Sequence, residues 1–249
     1  MDHLTPPQWV TRHDCIKIAF RHVIGNSPTI VFLPGYASDM LGSKAQALER
    51  WAVAQNRSFL RLDYSGCGES EGTFEAGTLD RWRDDALIII NSVIQGPVIL
   101  VGSSMGGWLM LLIALANPEK VMGLVGIAAA PDFTDWGFTT KEKDVIRSQG
   151  ALSRPSDYGP EPMITTQTFW QSGMEHCVLG VEMPIDCPVR LIHGQSDPDV
   201  PWHISIQLAD RLRSSDVQVQ LIKDGDHRLS REQDIAVLIS TLDHMMKAL

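Results

Sequence analysis

Val98-Ile99-Leu100-Val101-Gly102-Ser103-Ser104-Met105-Gly106-Gly107-Trp108 is the stretch that decides the fold. Its first four residues are a short continuous apolar run, as in a strand buried on both faces. Trp108 to Ala116 has the character of a buried helix and stops at Asn117-Pro118. Only a sharp turn separates the two. A strand-to-helix turn this tight holds its central residue in a strained backbone conformation. Gly102, Gly106 and Gly107 lack the Cβ that would keep strand and helix apart. Ser104 is the centre of this G-x-S-x-G pattern, so its hydroxyl is expected above the sheet edge, beside the first N–H groups of the helix beginning near Met105. The alternative is a Gly/Ser-rich turn without chemistry; a strand before and a helix after favour a reactive serine. Ser103 is the rival, but it lacks glycines two residues away on both sides.

Outward from this turn, strand-like and helical segments alternate. Ile16–Phe20, Thr29–Leu33, Ser58–Leu62, Val121–Ile127, Val189–Ile192 and Val217–Ile222 read as strands. Lys44–Gln55, Leu79–Ile94, Ile204–Leu212 and Asp234–Met246 read as helices. This order predicts an α/β fold, a mostly parallel sheet with helices on both faces. Residues 133–184 interrupt the rhythm with Gly, Pro, Thr and aromatics, too long a stretch for a plain connection. We read 1–132 and 185–249 as two parts of one core, and 133–184 as a cap or lid insertion.

Composition narrows the classes of function. The 249 residues are 44% apolar and 20% charged, with a net charge of −9. An acidic protein is a poor match for phosphate backbones or anionic lipid. Ala86 to Pro118 carries no charge, but turn residues break it before it could span a bilayer. Neither nucleic acid nor stable membrane insertion is therefore expected. Cys15, Cys67, Cys177 and Cys187 show no C-x-x-C spacing, which argues against a disulfide scaffold and a zinc knuckle. No metal or phosphate-cradle pattern occurs, so no cofactor is expected. The opening MDHLTPPQWVTRHD has neither an apolar signal core nor the Arg- and Ser-rich character of a transit peptide. A cytoplasmic location is the expectation.

A serine hydroxyl needs a base, usually a histidine oriented by a carboxylate. His3, His13 and His22 precede the core, His176 falls in the insertion, His193 inside a strand and His244 on the last helix. His203 opens a helix beside Trp202 and reads better as a supporting histidine than as a substrate contact. His227 lies in Lys223-Asp224-Gly225-Asp226-His227-Arg228, after the last strand, at the carboxyl edge where sites in α/β sheets collect. It is the candidate base. For the acid, Asp197 and Asp199 compete in the segment His193–Pro201. Asp197 comes first after the Gly194 turn and can reach back over the strand end; Asp199 would brace the loop or cap the helix near Trp202. Two N–H donors must meet the oxyanion. Met105 supplies one, and the loop Leu33-Pro34-Gly35-Tyr36 offers Tyr36 as the other. Asp63 and Ser70 read as holding the loop after the strand Ser58–Leu62, and Cys67 as structural. Trp136, Phe138, Met163, Phe169 and Trp170 are candidates for an acyl pocket, with packing of the insertion as the alternative.

The elbow, the PGY loop, Asp63–Ser70, the HGxxDxxVP segment and the DHR loop together resemble the α/β-hydrolase superfamily. FLPGY, GSKA, LDYSG-x-G-x-S, VGSSMGGWLML, CPVRLIHG, VPWH, QLADRL and DHR are similar, more narrowly, to the mitochondrial palmitoyl-protein thioesterases of the α/β-hydrolase-domain series, also described as acyl-glucuronide esterases. The resemblance runs from about Val31 to the C-terminal helix and is weaker between Phe133 and His176. It implies Ser104 as nucleophile, Asp197 as acid and His227 as base. The expected activity is hydrolysis of a small-molecule ester or thioester, or of an acylated protein. The alternatives are a carbon–carbon hydrolase or amidase on the same three residues, and a non-catalytic ligand receptor on this scaffold.

Overall fold

A computed structural model describes residues 5–156 and 162–249; His3 and residues 157–161 of the insertion lie outside that description. The strands are β1 (Gln8–Thr11), β2 (Lys17–Val23), β3 (Asn26–Leu33), β4 (Arg57–Leu62), β5 (Val98–Ser103), β6 (Val121–Ile127), β7 (Ala151–Arg154), β8 (Met163–Thr166), β9 (Val189–Gly194) and β10 (Val217–Ile222). The helices are α1 (Ser43–Ala54), α2 (Leu79–Val93), α3 (Met105–Ala116), α4 (Phe133–Trp136), α5 (Thr140–Gln149), α6 (Gln167–Glu175), α7 (His203–Arg211) and α8 (Glu232–Ala248).

Eight strands form one sheet in the order β1-β2-β4-β3-β5-β6-β9-β10. β1 on β2 and β2 on β4 are antiparallel, and every other neighbouring pair is parallel. The sequence pattern found the parallel centre with strand ends within three residues. It missed β1, a short edge strand whose residues are largely exposed and so carry little apolar signal. In the centre, β5 is buried throughout, which explains its unbroken apolar run.

The two faces of the sheet bury separate cores. One gathers Val31, Leu100 and Leu124 with α2, α3 and the insertion, around Trp82 and Trp108. The other gathers Ile30, Val101 and Ile127 with α1 and α8. α3 is buried from Met105 to Ala114, which is why it lacks a polar face. No helix among the described residues is long and apolar enough to cross a membrane.

Between β6 and β9 the chain builds α4, α5, the antiparallel hairpin β7–β8 and α6. The return to the sheet is clamped by Asp132, whose two carboxylate oxygens accept the N–H groups of Val178 and Leu179 at 2.8 Å each. α5 starts in a capping box made by Thr139 and Glu142. The parallel strands all end on one side of the sheet, so the loops after β3, β4, β5, β9 and β10 converge there.

Candidate active site

Ser104 sits between the last residue of β5 and the first of α3, with φ 55° and ψ −120°. That backbone region is unfavourable for a residue with a Cβ. Tertiary contacts impose it. Ser104 N–H donates to Ile127 O, and Ser104 O accepts from Gly107 and Ala130. A Cβ on Gly102 would lie 2.3 Å from Gly106 O, and one on Gly106 would lie 2.1 Å from Leu33 O. Strand, elbow and helix therefore close up only because those positions are glycine. Ser103, the rival serine, is the buried end of β5.

His227 Nε2 is 3.1 Å from Ser104 Oγ, and His227 Nδ1 is 2.8 Å from Asp197 Oδ2. Residues 104, 197 and 227 thus form one continuous hydrogen-bonded line. The acid and histidine loops meet backbone to backbone. Ser196 N–H donates to Gly225 O, and a Cβ on Gly194 would lie 2.2 Å from that same carbonyl. Leu229, at φ 44°, is buried beneath the histidine loop, and its N–H donates to Asp226 Oδ1.

Asp197 Oδ1 accepts the N–H groups of Asp199 and Val200, both at 2.8 Å. The side chain is fully buried. Burial opposes its ionisation, but bonds from His193, His227 and Val200 N–H outweigh burial and hold the carboxyl below the usual carboxylate range. Asp199 contributes its N–H to this turn, and α7 begins behind Trp202. His203 stacks on Trp202, with ring centroids 3.5 Å apart. Sequence reasoning set His193 aside as a strand residue, yet its Nε2 lies 3.3 Å from Asp197 Oδ2. The available signal was its place four residues before the acid, at a strand end.

Met105 opens α3, and the first N–H groups of a helix have no partner within it. The loop after β3 passes directly against the serine: a Cβ on Gly35 would lie 3.3 Å from Ser104 Cβ. Tyr64 braces the loop by donating to Pro34 O. The amides of Met105 and Tyr36 are thus carried by segments flanking Ser104. The Tyr36 hydroxyl donates to Ile164 O at 2.6 Å, tying this loop to β8. Its ring stands among Phe74, Trp82, Phe133 and Phe169.

The acyl-pocket candidates separate. Phe169 has its ring centroid 4.7 Å from that of Tyr36. Phe138 and Trp170 instead pack with Ile146 in a small core belonging to the insertion. Trp170 Nε1 donates to Thr134 O and Trp136 Nε1 to Pro131 O. Met163 is half-buried on β8. An inserted segment must bury apolar surface of its own before it can offer any to a ligand, and these aromatics serve that need. Asp63 takes the expected supporting place, accepting from Met40 N–H and Glu69 N–H, while Ser70 Oγ donates to Asp63 O. Burial of its carboxyl, against those two bonds, raises its pKa to about 6. Burial pushes the Cys67 thiol up to about 12, which leaves it unreactive.

Comparison with known proteins gives a consistent result. Residues 30–240 match the Alpha/beta hydrolase family. The chain is 43% identical over 249 residues to the human protein "Palmitoyl-protein thioesterase ABHD10, mitochondrial", covering 98% of this chain and 81% of that one. Among solved structures, alpha/beta hydrolase domain-containing protein 10 from mouse superimposes with a TM-score of 0.92 at 41% identity, covering 98% of this chain and 99% of that one. A putative hydrolase from Agrobacterium vitis S4 superimposes with a TM-score of 0.91 at 35% identity, covering 96% and 98%. The mitochondrial location printed in the relatives' names overturns the cytoplasmic expectation. Composition and cysteine spacing carry no address, so they could not have made that distinction. Sheet order, elbow geometry and likeness along nearly the whole chain agree: this is a hydrolase, and it belongs to the alpha/beta hydrolase family.

Proposed function

We propose that the chain is a serine hydrolase acting on acyl thioesters and esters, with Ser104 as nucleophile, His227 as general base and Asp197 as the orienting acid. The observation that carries this is the line Ser104 Oγ–His227 Nε2–His227 Nδ1–Asp197 Oδ2, at 3.1 and 2.8 Å. Ser104 Oγ attacks the acyl carbon while His227 takes its proton. The carbonyl electrons move to oxygen, where the amides of Met105 and Tyr36 receive the charge. Asp197 keeps the Nδ1 proton of His227 in place and stabilises the imidazolium. The tetrahedral intermediate expels the thiol or alcohol, which leaves with the proton from His227. Water, deprotonated by His227, then attacks the acyl-serine, and the acid is released as His227 returns that proton to Ser104 Oγ.

Residues 133–184 act in this reading as a cap. Tyr36, Phe74 and Phe133, each partly exposed, form an apolar wall backed by the buried Trp82 and Phe169. A hydrocarbon chain suits such a wall, and relatives named palmitoyl-protein thioesterases support a long-chain acyl group on a protein cysteine as substrate. Hydrolysis of an acyl series, from two to sixteen carbons, as paired esters and thioesters, tests the reading. Turnover rising with chain length and abolished in Ser104→Ala is expected. Ser104→Ala with parental turnover, or cleavage confined to amides, would refute it.

A further inference from the structure

His193 ends its side chain in a fully buried position beneath the acid turn. Its Nε2 lies 3.0 Å from Val200 O and 3.3 Å from Asp197 Oδ2. Both are acceptors, so Nε2 carries a ring proton. Its Nδ1 lies 2.7 Å from Ser205 Oγ on α7. With Nε2 as the donor, Nδ1 accepts from the Ser205 hydroxyl, which is itself buried. One imidazole therefore joins β9, the acid turn and α7. Among titratable groups, Asp197 of the acid turn faces it and in turn holds His227, while α7 contributes a hydroxyl.

This matters because a carboxylate orients a base only while its own rotation is fixed. Backbone N–H groups hold Oδ1, but Oδ2 is bonded to the catalytic imidazole, itself a side chain that must move protons. A second ring donor at Oδ2 keeps the carboxylate plane in place when His227 shifts. Val200 O, held by the same proton, keeps the turn that supplies the Oδ1 donors. From this geometry we infer that His193 is a positioning residue for hydrolysis, acting through Asp197, and that Ser205 sets its tautomer. The inference rests on the triad reading given above.

The test is a double-mutant cycle on the full chain, with a p-nitrophenyl acyl ester as substrate and circular dichroism to check folding. His193→Leu fills the volume without a donor. We expect kcat to fall about tenfold at unchanged KM, the order that a hydrogen bond to a charged group is worth. His193→Gln places an amide N–H near the position of Nε2 and restores most of the loss. In an Asp197→Asn background, His193→Leu costs less than about twofold more, because the group it acts through is already disabled. A folded His193→Leu with parental kcat, or the same loss in both backgrounds, overturns the inference. Should His193→Leu fail to fold, Ser205→Ala removes one hydroxyl and is read in the same way. About a threefold loss of kcat, absent in the Asp197→Asn background, supports the inference, and no loss overturns it. Ser104→Ala separates the two claims. Its inactivity alongside silent His193 and Ser205 variants defeats only the positioning role, whereas its activity defeats the triad reading itself.

Discussion

Replacing Asp197 by Asn changes one atom, and the surrounding donors dictate where that atom goes. Oδ1 accepts two backbone N–H groups at 2.8 Å, so an amide nitrogen cannot occupy that side. The new NH2 must stand at the Oδ2 position, 2.8 Å from His227 Nδ1. Two donors cannot face each other there, so His227 gives up its Nδ1 proton and holds one at Nε2. That nitrogen lies 3.1 Å from Ser104 Oγ and can no longer accept the serine proton. The fold is kept and the wrong tautomer is locked in. By analogy with serine proteases the loss in kcat is about 10⁴, or about 5.5 kcal/mol on the barrier. The assay is steady-state hydrolysis of a short p-nitrophenyl ester, with thermal unfolding as the control for structure. A folded Asp197→Asn variant within tenfold of the parent kcat would refute this account of the acid.

Three further outcomes follow from the geometry. Ser104→Gly relieves a side chain held at φ 55°, so it should be inactive yet more stable by about 1–3 kcal/mol, measured as a raised urea midpoint; an unchanged midpoint would deny the strain. Tyr36→Phe deletes the hydroxyl that donates to Ile164 O and should lower stability by about 1–3 kcal/mol, with KM for long acyl chains rising as β8 loosens from the loop; unchanged unfolding and KM would show the tie to be idle. Burial raises the Asp63 carboxyl from 3.8 to about 6, so between those values the native state binds more protons than the unfolded chain. Its contribution to stability therefore falls as pH rises from about 4 to 6, and Asp63→Asn should flatten that slope in urea titrations; an identical slope would exclude Asp63 as its source.

Much of the site could be read before any fold was known, because its parts have local signatures. Tight packing of strand on helix requires glycines at fixed offsets from Ser104, and a loop after a terminal strand can be located from apolar runs alone. Asp197 was preferred over Asp199 from its place after Gly194, and the structure gives that carboxylate the bond to His227. The aromatic residues of the insertion were less legible. Phe138 and Trp170 look the same in a sequence whether they face a ligand or one another; here they pack around Ile146. His193 is the strand residue its sequence suggests, but nothing in its neighbours announces Ser205, twelve positions on, as its partner.

The chain's own pattern determined the alternation of strand and helix, the strained turn at Ser104 and the placing of Asp197 and His227 in loops after strands, since each follows from steric and periodic rules acting over a few residues. Tertiary structure alone decided that β2 runs antiparallel to β4, that the loops after β9 and β10 touch at Gly194 and Gly225, and that Tyr36 ties the loop after β3 to β8. Those contacts join residues far apart in sequence. Their geometry comes from sheet register and from the burial of whole surfaces, neither of which any short segment contains.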